Sequence, residues 1–156
     1  MKAPQKPKPN ATHRGGFFTS EGTHMKTQLN DNQRMSVPAG IFGHHFGTRI
    51  EPDVFAMASR LSPDYCGGYW EFYALANGGF FMAPVADHGF LVCSNNGYEG
   101  VMSAEALGLT ACLYVYSNAT FTQVGTLLDV CADQFHKVRA FAIGHPEASE
   151  IFQAID

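Results

Sequence analysis

The sequence predicts an α+β fold in which a central antiparallel sheet of three to four strands has helices packed on both faces. Residues 69–76 are apolar on both parities, which is typical of a strand covered on both sides. Asn77-Gly78 separates this strand from Phe80-Phe81-Met82, and that dipeptide favours a tight antiparallel hairpin. Beyond residue 103, apolar residues recur at helical spacing, which predicts the helices that cover the sheet.

The N-terminal third of the chain predicts a leader followed by one helix. Residues 1–36 are poor in aliphatic side chains and rich in Pro, Lys, Asn, Thr and Gly, so we expect a flexible leader. Part of it looks vector-derived, because Gly22-Thr23-His24-Met25 resembles a cloning remnant before a natural start. The folded domain is therefore expected at 37–156. Within it, residues 41–47 read as an apolar loop, and Pro52 begins a helix that ends before Ser62-Pro63.

The remaining elements follow from apolar runs and capping residues. Runs at 90–93 and 98–102 predict a third and a fourth strand, which we expect to continue the hairpin as a meander. Ser103 is a candidate N-cap for the second helix. Thr120 to Gln123 has capping-box spacing, and an apolar stripe from Val124 to Ala142 predicts a long third helix. Pro146 opens a last helix.

Length and charge restrict the function classes. The 156 residues carry a net charge of −4, with a pI near 5.9. A protein that imitates ~40 Å of duplex DNA would need on the order of 24 negative charges, so the net charge argues against wholesale DNA mimicry. The acidic pI also argues against strong nonspecific DNA binding. The chain has neither a membrane-length apolar run nor a secretory h-region, and we predict a cytoplasmic protein.

The sequence predicts neither a metal site nor a catalytic centre. The best metal cluster that can be assembled is His44-His45 with His88 and Cys93, and its spacing matches no metal template. Cys66, in a glycine-flanked turn, is the cysteine best placed for a nucleophile, and an enzyme centred on Cys66 or His45 is a rival hypothesis. We predict no cofactor and a protein that is not an enzyme.

A nucleic-acid-binding module is the alternative function. Tyr69, Trp70 and Tyr73 could form a stacking platform for bases. Aromatic side chains within one strand are more often core, and few basic residues interleave with these three.

Motifs from Val37 to the C-terminus carry a family resemblance. They are His45-Phe46-Gly47, Arg60-Leu61-Ser62, the dense runs at 65–73 and 77–84, and the C-terminal 145–149 and 154–156. In order and length they resemble the ArdB/KlcA antirestriction family over about three-quarters of the chain. The chain departs from the family pattern at 39–44, which lacks an expected Leu-Pro-Arg, and at Phe81, where Tyr is usual.

The resemblance implies a protein of plasmids or other mobile elements that relieves type I restriction of incoming DNA. It implies a route other than DNA mimicry, and we expect binding to a restriction-enzyme subunit or to an accessory host factor. We expect the interaction surface to consist of exposed polar residues near the predicted loops and the C-terminus. These candidates are Asp64, Glu71, Asn77, Asp87, Asn95, Asn96, Glu99, His145, Glu147 and Asp156.

Overall fold

The computed structural model describes residues 25–156 and confirms the α+β class. This part of the chain contains five strands, five α-helices and one short π-helical turn. In chain order they are β1 (Lys26–Gln28), α1 (Asp31–Phe42), the π-helical turn (Phe46–Ile50), α2 (Glu51–Leu61), β2 (Trp70–Leu75), β3 (Phe80–Pro84), β4 (Phe90–Cys93), β5 (Glu99–Met102), α3 (Ala104–Thr122), α4 (Thr126–Ile143) and α5 (Ala148–Ile155).

The folded region begins before residue 37, so the expected leader boundary at 36 is wrong for residues 26–36. β1 pairs antiparallel with β2, with Lys26 opposite Leu75. Asn30 then caps α1 through a reciprocal capping box with Gln33. Backbone hydrogen bonds and the cap order this segment although it carries few aliphatic side chains. Residues 1–24, and with them the predicted flexibility and cloning remnant, lie outside the described residues.

The strands form two sheets rather than one meander. The larger sheet has the order β1-β2-β3 and the smaller pairs β4 with β5, both antiparallel. The predicted hairpin is present, with Phe72 opposite Met82 and Gly78 at φ +88° in its turn. The third strand of the larger sheet is β1, whereas β4 was expected beside β3.

β4 cannot extend the larger sheet because side chains from two helices already occupy the outer edge of β3. The Gln134 side chain accepts a hydrogen bond from the Phe80 N–H at 2.8 Å. The Tyr116 hydroxyl donates to the Phe80 carbonyl at 2.7 Å, and the Cys112 thiol contacts the Met82 carbonyl at 3.7 Å. These contacts satisfy the edge groups that a further strand would otherwise bind.

α3 is the central helix, and a glycine lets it approach β3 closely. Most of its residues are buried, as expected for a helix surrounded by protein. A methyl group at Gly108 would lie 2.4 Å from the Met82 carbonyl oxygen, too close for any larger residue without a shift. Ser103 caps the helix as predicted, accepting a hydrogen bond from the Ala106 N–H at 3.2 Å.

Both faces of the larger sheet are covered, as predicted. On one face Phe80 makes edge-to-face contacts with Phe42, the last residue of α1, and with Phe46 of the π-helical turn. On the other face Phe81 stacks on Phe141 of α4, with ring centroids 5.6 Å apart. Aromatic packing thus supplies much of the core on both sides. In the described part of the chain, no helix is both long and apolar enough to cross a bilayer.

Two local predictions on the helices need correction. The apolar loop expected at 41–47 is instead the end of α1 and the start of the π-helical turn. The third long helix begins at Thr126 after Gly125, which has a φ of +73°, and its start is later than the predicted capping box. Val124, expected in its apolar stripe, is therefore left in the connection and is exposed.

Candidate interaction surface

The ten predicted surface residues fall in separate places, and one group of them meets in a network. His145 and Glu147 come together with residues at the start of α3. Asn95, Asn96 and Glu99 lie at or after the turn that joins β4 to β5. The other five, distributed over loops, β2 and the C-terminus, are Asp64, Glu71, Asn77, Asp87 and Asp156.

The network, here the α3 cluster, consists of Lys26, Ser103, Glu105, His145 and Glu147. The Glu147 carboxylate accepts hydrogen bonds from the Ser103 N–H, at 2.8 Å, and from the Ser103 hydroxyl. The Glu105 carboxylate pairs with Lys26 on one oxygen and with His145 on the other. The cluster therefore ties β1 and the α4–α5 connection to the N-terminus of α3, where carboxylates are favoured by the helix dipole.

The hydrogen bonds of His145 define its tautomer in the neutral state. The Glu147 N–H donates to Nδ1 at 3.0 Å, so the ring proton lies on Nε2, which is 3.1 Å from Glu105. The hydrogen bond from His145, helped by Lys26, lowers the pKa of Glu105 although partial burial opposes this. The His145 side chain is only 7% exposed. Little of the His145 ring is therefore open to a partner, and its two nitrogens contact Glu105 and Glu147.

A shallow groove of about 440 Å³ runs beside the α3 cluster. Glu71, Tyr73, Ser103 and Glu105 are among its lining residues. Glu71 also faces Arg34, with 3.9 Å between the charged groups. Of the ten predicted surface residues, only Glu71 reaches this groove, and neither Glu105 nor Lys26 was among the ten. Glu105 had one detectable signal, its place in the first turn of a helix with a strong N-cap.

Three other predicted residues have structural roles. The Asn96 amide donates to the Gln153 carbonyl at the end of α5. Asn77 supports the hairpin turn by accepting from the Gly79 N–H at 2.9 Å. Asp64 accepts from the Leu91 N–H at 2.9 Å and so holds the edge of β4. Asp87 and Glu99 are exposed to solvent.

The three aromatics of the predicted stacking platform do not share one open surface. Trp70 is 2% exposed, and its indole N–H donates to the Tyr65 hydroxyl at 2.8 Å. The Tyr73 ring stacks on Phe81, 4.9 Å between centroids. Tyr69 alone is exposed, at 56%. A row of stacked bases would need the other two rings to be accessible.

The histidines and cysteines are dispersed. Residues 25–156 contain no group of three His, Cys, Asp or Glu side chains placed to hold a metal ion. All four cysteines are free thiols; Cys112 and Cys131 are buried, and burial raises their pKa to about 12 and about 11. Such thiols are poor nucleophiles near neutral pH. Cys66 and Cys93 are exposed.

The fold and the surface define an α+β protein whose polar clusters chiefly hold secondary-structure ends in place. The comparisons with known proteins then assign its family. The family model for antirestriction proteins matches residues 63–156. The chain belongs to the antirestriction protein family.

Relatives and a solved structure agree with this assignment. The chain is 40% identical to the uncharacterized protein YfjX of Escherichia coli strain K12, over 83% of this chain and 86% of YfjX. It is 38% identical to an Escherichia coli antirestriction protein KlcA, over 80% of this chain and 89% of KlcA. A structure from the KlcA and ArdB proteins matches with a TM-score of 0.77 and 36% identity, covering 85% of this chain and 94% of that one. Those proteins are described as having a novel fold and antirestriction activity against Type I DNA restriction systems in vivo but not in vitro.

Proposed function

We propose that this protein relieves type I restriction of incoming DNA by binding a protein rather than by imitating DNA. The observation that carries the proposal is the similarity, over most of both chains, to the KlcA and ArdB structure. Fold alone is a weak guide to function. Here the likeness extends to 36% sequence identity and to the antirestriction family model.

Charge supports a route other than mimicry. Residues 25–156 contain thirteen Asp and Glu against six Lys and Arg, a net charge of −7. A duplex mimic covering ~40 Å would need on the order of 24 negative charges. Several carboxylates are also occupied within the chain, including those of Glu105, Glu147 and Asp64. They are therefore not free to imitate a row of phosphates.

The partner is a type I restriction subunit or an accessory host factor. Activity described for KlcA and ArdB in vivo but not in vitro indicates a component that cells supply and purified reactions lack. This favours the host factor as the first protein contacted. In the alternative, the restriction subunit is contacted only in an assembly or state that forms in cells.

The activity test uses the full chain expressed in cells that carry a type I system. Plating of unmodified phage is expected to rise towards that of modified phage. Cells lacking the restriction enzyme serve as the control, since expression should change nothing there. Undiminished restriction at confirmed soluble expression would contradict the proposal.

A biochemical test separates the two partners. Purified restriction enzyme should cleave unmodified DNA normally with the purified protein alone, and cleavage should fall when extract from restriction-deficient cells is added. Inhibition without extract would identify a direct contact with the enzyme. A gel shift that weakens steeply with salt would instead favour the nucleic-acid-binding alternative.

A further inference from the structure

A groove between α2 and α3 lies away from the α3 cluster. Its two connected parts measure about 270 and 500 Å³ and share Met57, Arg60 and Asn118. The first part reaches Leu127 at the start of α4, and the second reaches Asn95 in the turn after β4. It is the only one of the described grooves that includes two arginines, which makes its chemistry distinct from the acidic groove beside Glu105.

Among residues 25–156, the two arginines of this groove form no ion pair, whereas the other Lys and Arg side chains contact other residues. Arg49 and Arg60 have no carboxylate oxygen within 4.0 Å among residues 25–156. Asp53 also lines the groove, so the groove has a local charge of +1, whereas residues 25–156 together have a net charge of −7. The other four Lys and Arg side chains of residues 25–156 contact the chain itself: Lys26 pairs with Glu105, Arg34 with Glu71, Lys137 with Asp133, and Arg139 lies over the Phe152 ring.

Two exposed apolar side chains flank, in sequence, the two groove-lining residues Thr122 and Gln123. Phe121 is 86% exposed and Val124 is 88% exposed. Thr122 and Gln123, which lie between them, line the groove. Single exposed apolar residues are common, but an exposed aromatic beside a partly apolar groove with free arginines has the composition of a protein-binding surface.

We propose that this groove docks a segment of a partner protein that presents an apolar side chain next to one or two carboxylates. The apolar side chain would pack on Met57 and Phe121, and the carboxylates would pair with Arg49 and Arg60, whose planar groups suit bidentate binding. The inference rests on the proposed function and deepens it by stating the chemistry of the partner.

Three other occupants of the groove are the N-terminal segment of this chain, a nucleic acid and a second copy of the chain, and charge argues against the first two. Residues 1–24 of this chain carry four Lys or Arg and one Glu, so their own positive charge opposes the two arginines. A nucleic acid would meet one local positive charge on a region of net charge −7, whereas phosphate binding draws on several cations. A second copy of the chain would leave a concentration-dependent oligomer, which the experiment below detects.

The first arm of the test measures binding directly on the full chain by ¹⁵N NMR titration. The probe is a ten-residue peptide with a central Leu-Phe-Leu flanked by aspartates, and the matched control replaces each aspartate with lysine. The acidic peptide should shift the amide signals of Arg60, Asn118 and Gln123, and the lysine peptide should not. No groove shifts, or equal shifts with both peptides, would overturn the proposal.

The second arm uses charge reversal. The double change Arg49→Glu with Arg60→Glu should lower the affinity for the acidic peptide by at least about tenfold, and it should create binding of the lysine peptide. Arg139→Glu, an exposed arginine outside the groove, is the control and should alter neither. Unchanged affinity in the double variant overturns the proposal, as does a dimer in sedimentation that this variant abolishes.

The third arm places the same variants in the phage assay. Arg49→Glu with Arg60→Glu, and separately Phe121→Ser with Val124→Ser, should lose most of the restriction relief at unchanged expression and melting temperature. Val101→Ser with Met35→Ser changes two exposed apolar residues outside the groove and should keep it. If the unmutated chain gives no relief, the proposed function fails. If it does and all variants match it, only the groove inference fails.

Discussion

Gln134 occupies part of the outer edge of β3, and its replacement by leucine tests how much that contact contributes to stability. Its side chain accepts from the Phe80 N–H at 2.8 Å and donates to the Gly78 carbonyl at 3.1 Å. Leucine has a similar size but can make neither bond. The substitution therefore leaves the buried Phe80 N–H without a partner and changes packing little.

The expected loss of stability depends on how well each former partner of Gln134 can be satisfied without it. An orphaned buried backbone donor costs about 1–3 kcal/mol. The Gly78 carbonyl belongs to an exposed residue and can bind water instead, so it adds less. Leucine regains part of the loss through burial of its apolar side chain. We expect Gln134→Leu to lower the free energy of unfolding by about 2 kcal/mol.

Urea unfolding followed by far-UV circular dichroism measures this difference. Gln153→Leu is the matched control, because Gln153 lies exposed on a helix and its side-chain amide donates a hydrogen bond to the Ser149 hydroxyl. The control should stay within about 0.5 kcal/mol of the unmutated chain. If Gln134→Leu changes stability no more than Gln153→Leu, the explanation of the β3 edge is wrong.

Three further predictions concern packing, pH and burial. Gly108→Ala should cost about 1–3 kcal/mol in the same assay because the methyl group would meet the Met82 carbonyl, whereas Gly47→Ala, in open space, should cost little. Glu105→Gln should cost about 1 kcal/mol at pH 7. Because the folded pKa of Glu105 is lowered, its contribution is present above the unfolded pKa and is lost as the pH falls through the folded pKa, so the two proteins should converge in stability below about pH 4. Emission from Trp70 should be blue-shifted and resist acrylamide quenching, and ready quenching in the folded protein would contradict its burial.

Local chemistry explains which elements could be predicted. Asn77-Gly78 supplies the positive φ of a hairpin turn, and Ser103 caps a helix from its own side chain. Both signals act within a few residues, and the structure confirms both. The missed β1 has no such signal, since Lys26 to Gln28 is entirely exposed and is held by hydrogen bonds to a strand almost fifty residues away.

The candidate surfaces, like the strands, depend on contacts between residues that are far apart in the sequence. The motifs from 65 to 84 identify the family, yet Trp70, Phe80 and Met82 are buried, so these motifs report the core more than the active surface. The α3 cluster joins residues up to 121 positions apart, from Lys26 to Glu147, and no spacing rule predicts such a meeting.

The sequence by itself determined the α+β class, the family, the hairpin and most of the helix positions, because composition, caps and turn residues act locally. Only the tertiary structure decided that the strands divide into two sheets, that the His145 side chain is largely buried, and that Val124 is exposed. It also showed that Arg49 and Arg60 share one groove. Each of these depends on which distant side chains occupy an edge or leave a charge unpaired, and that is settled only when the helices pack.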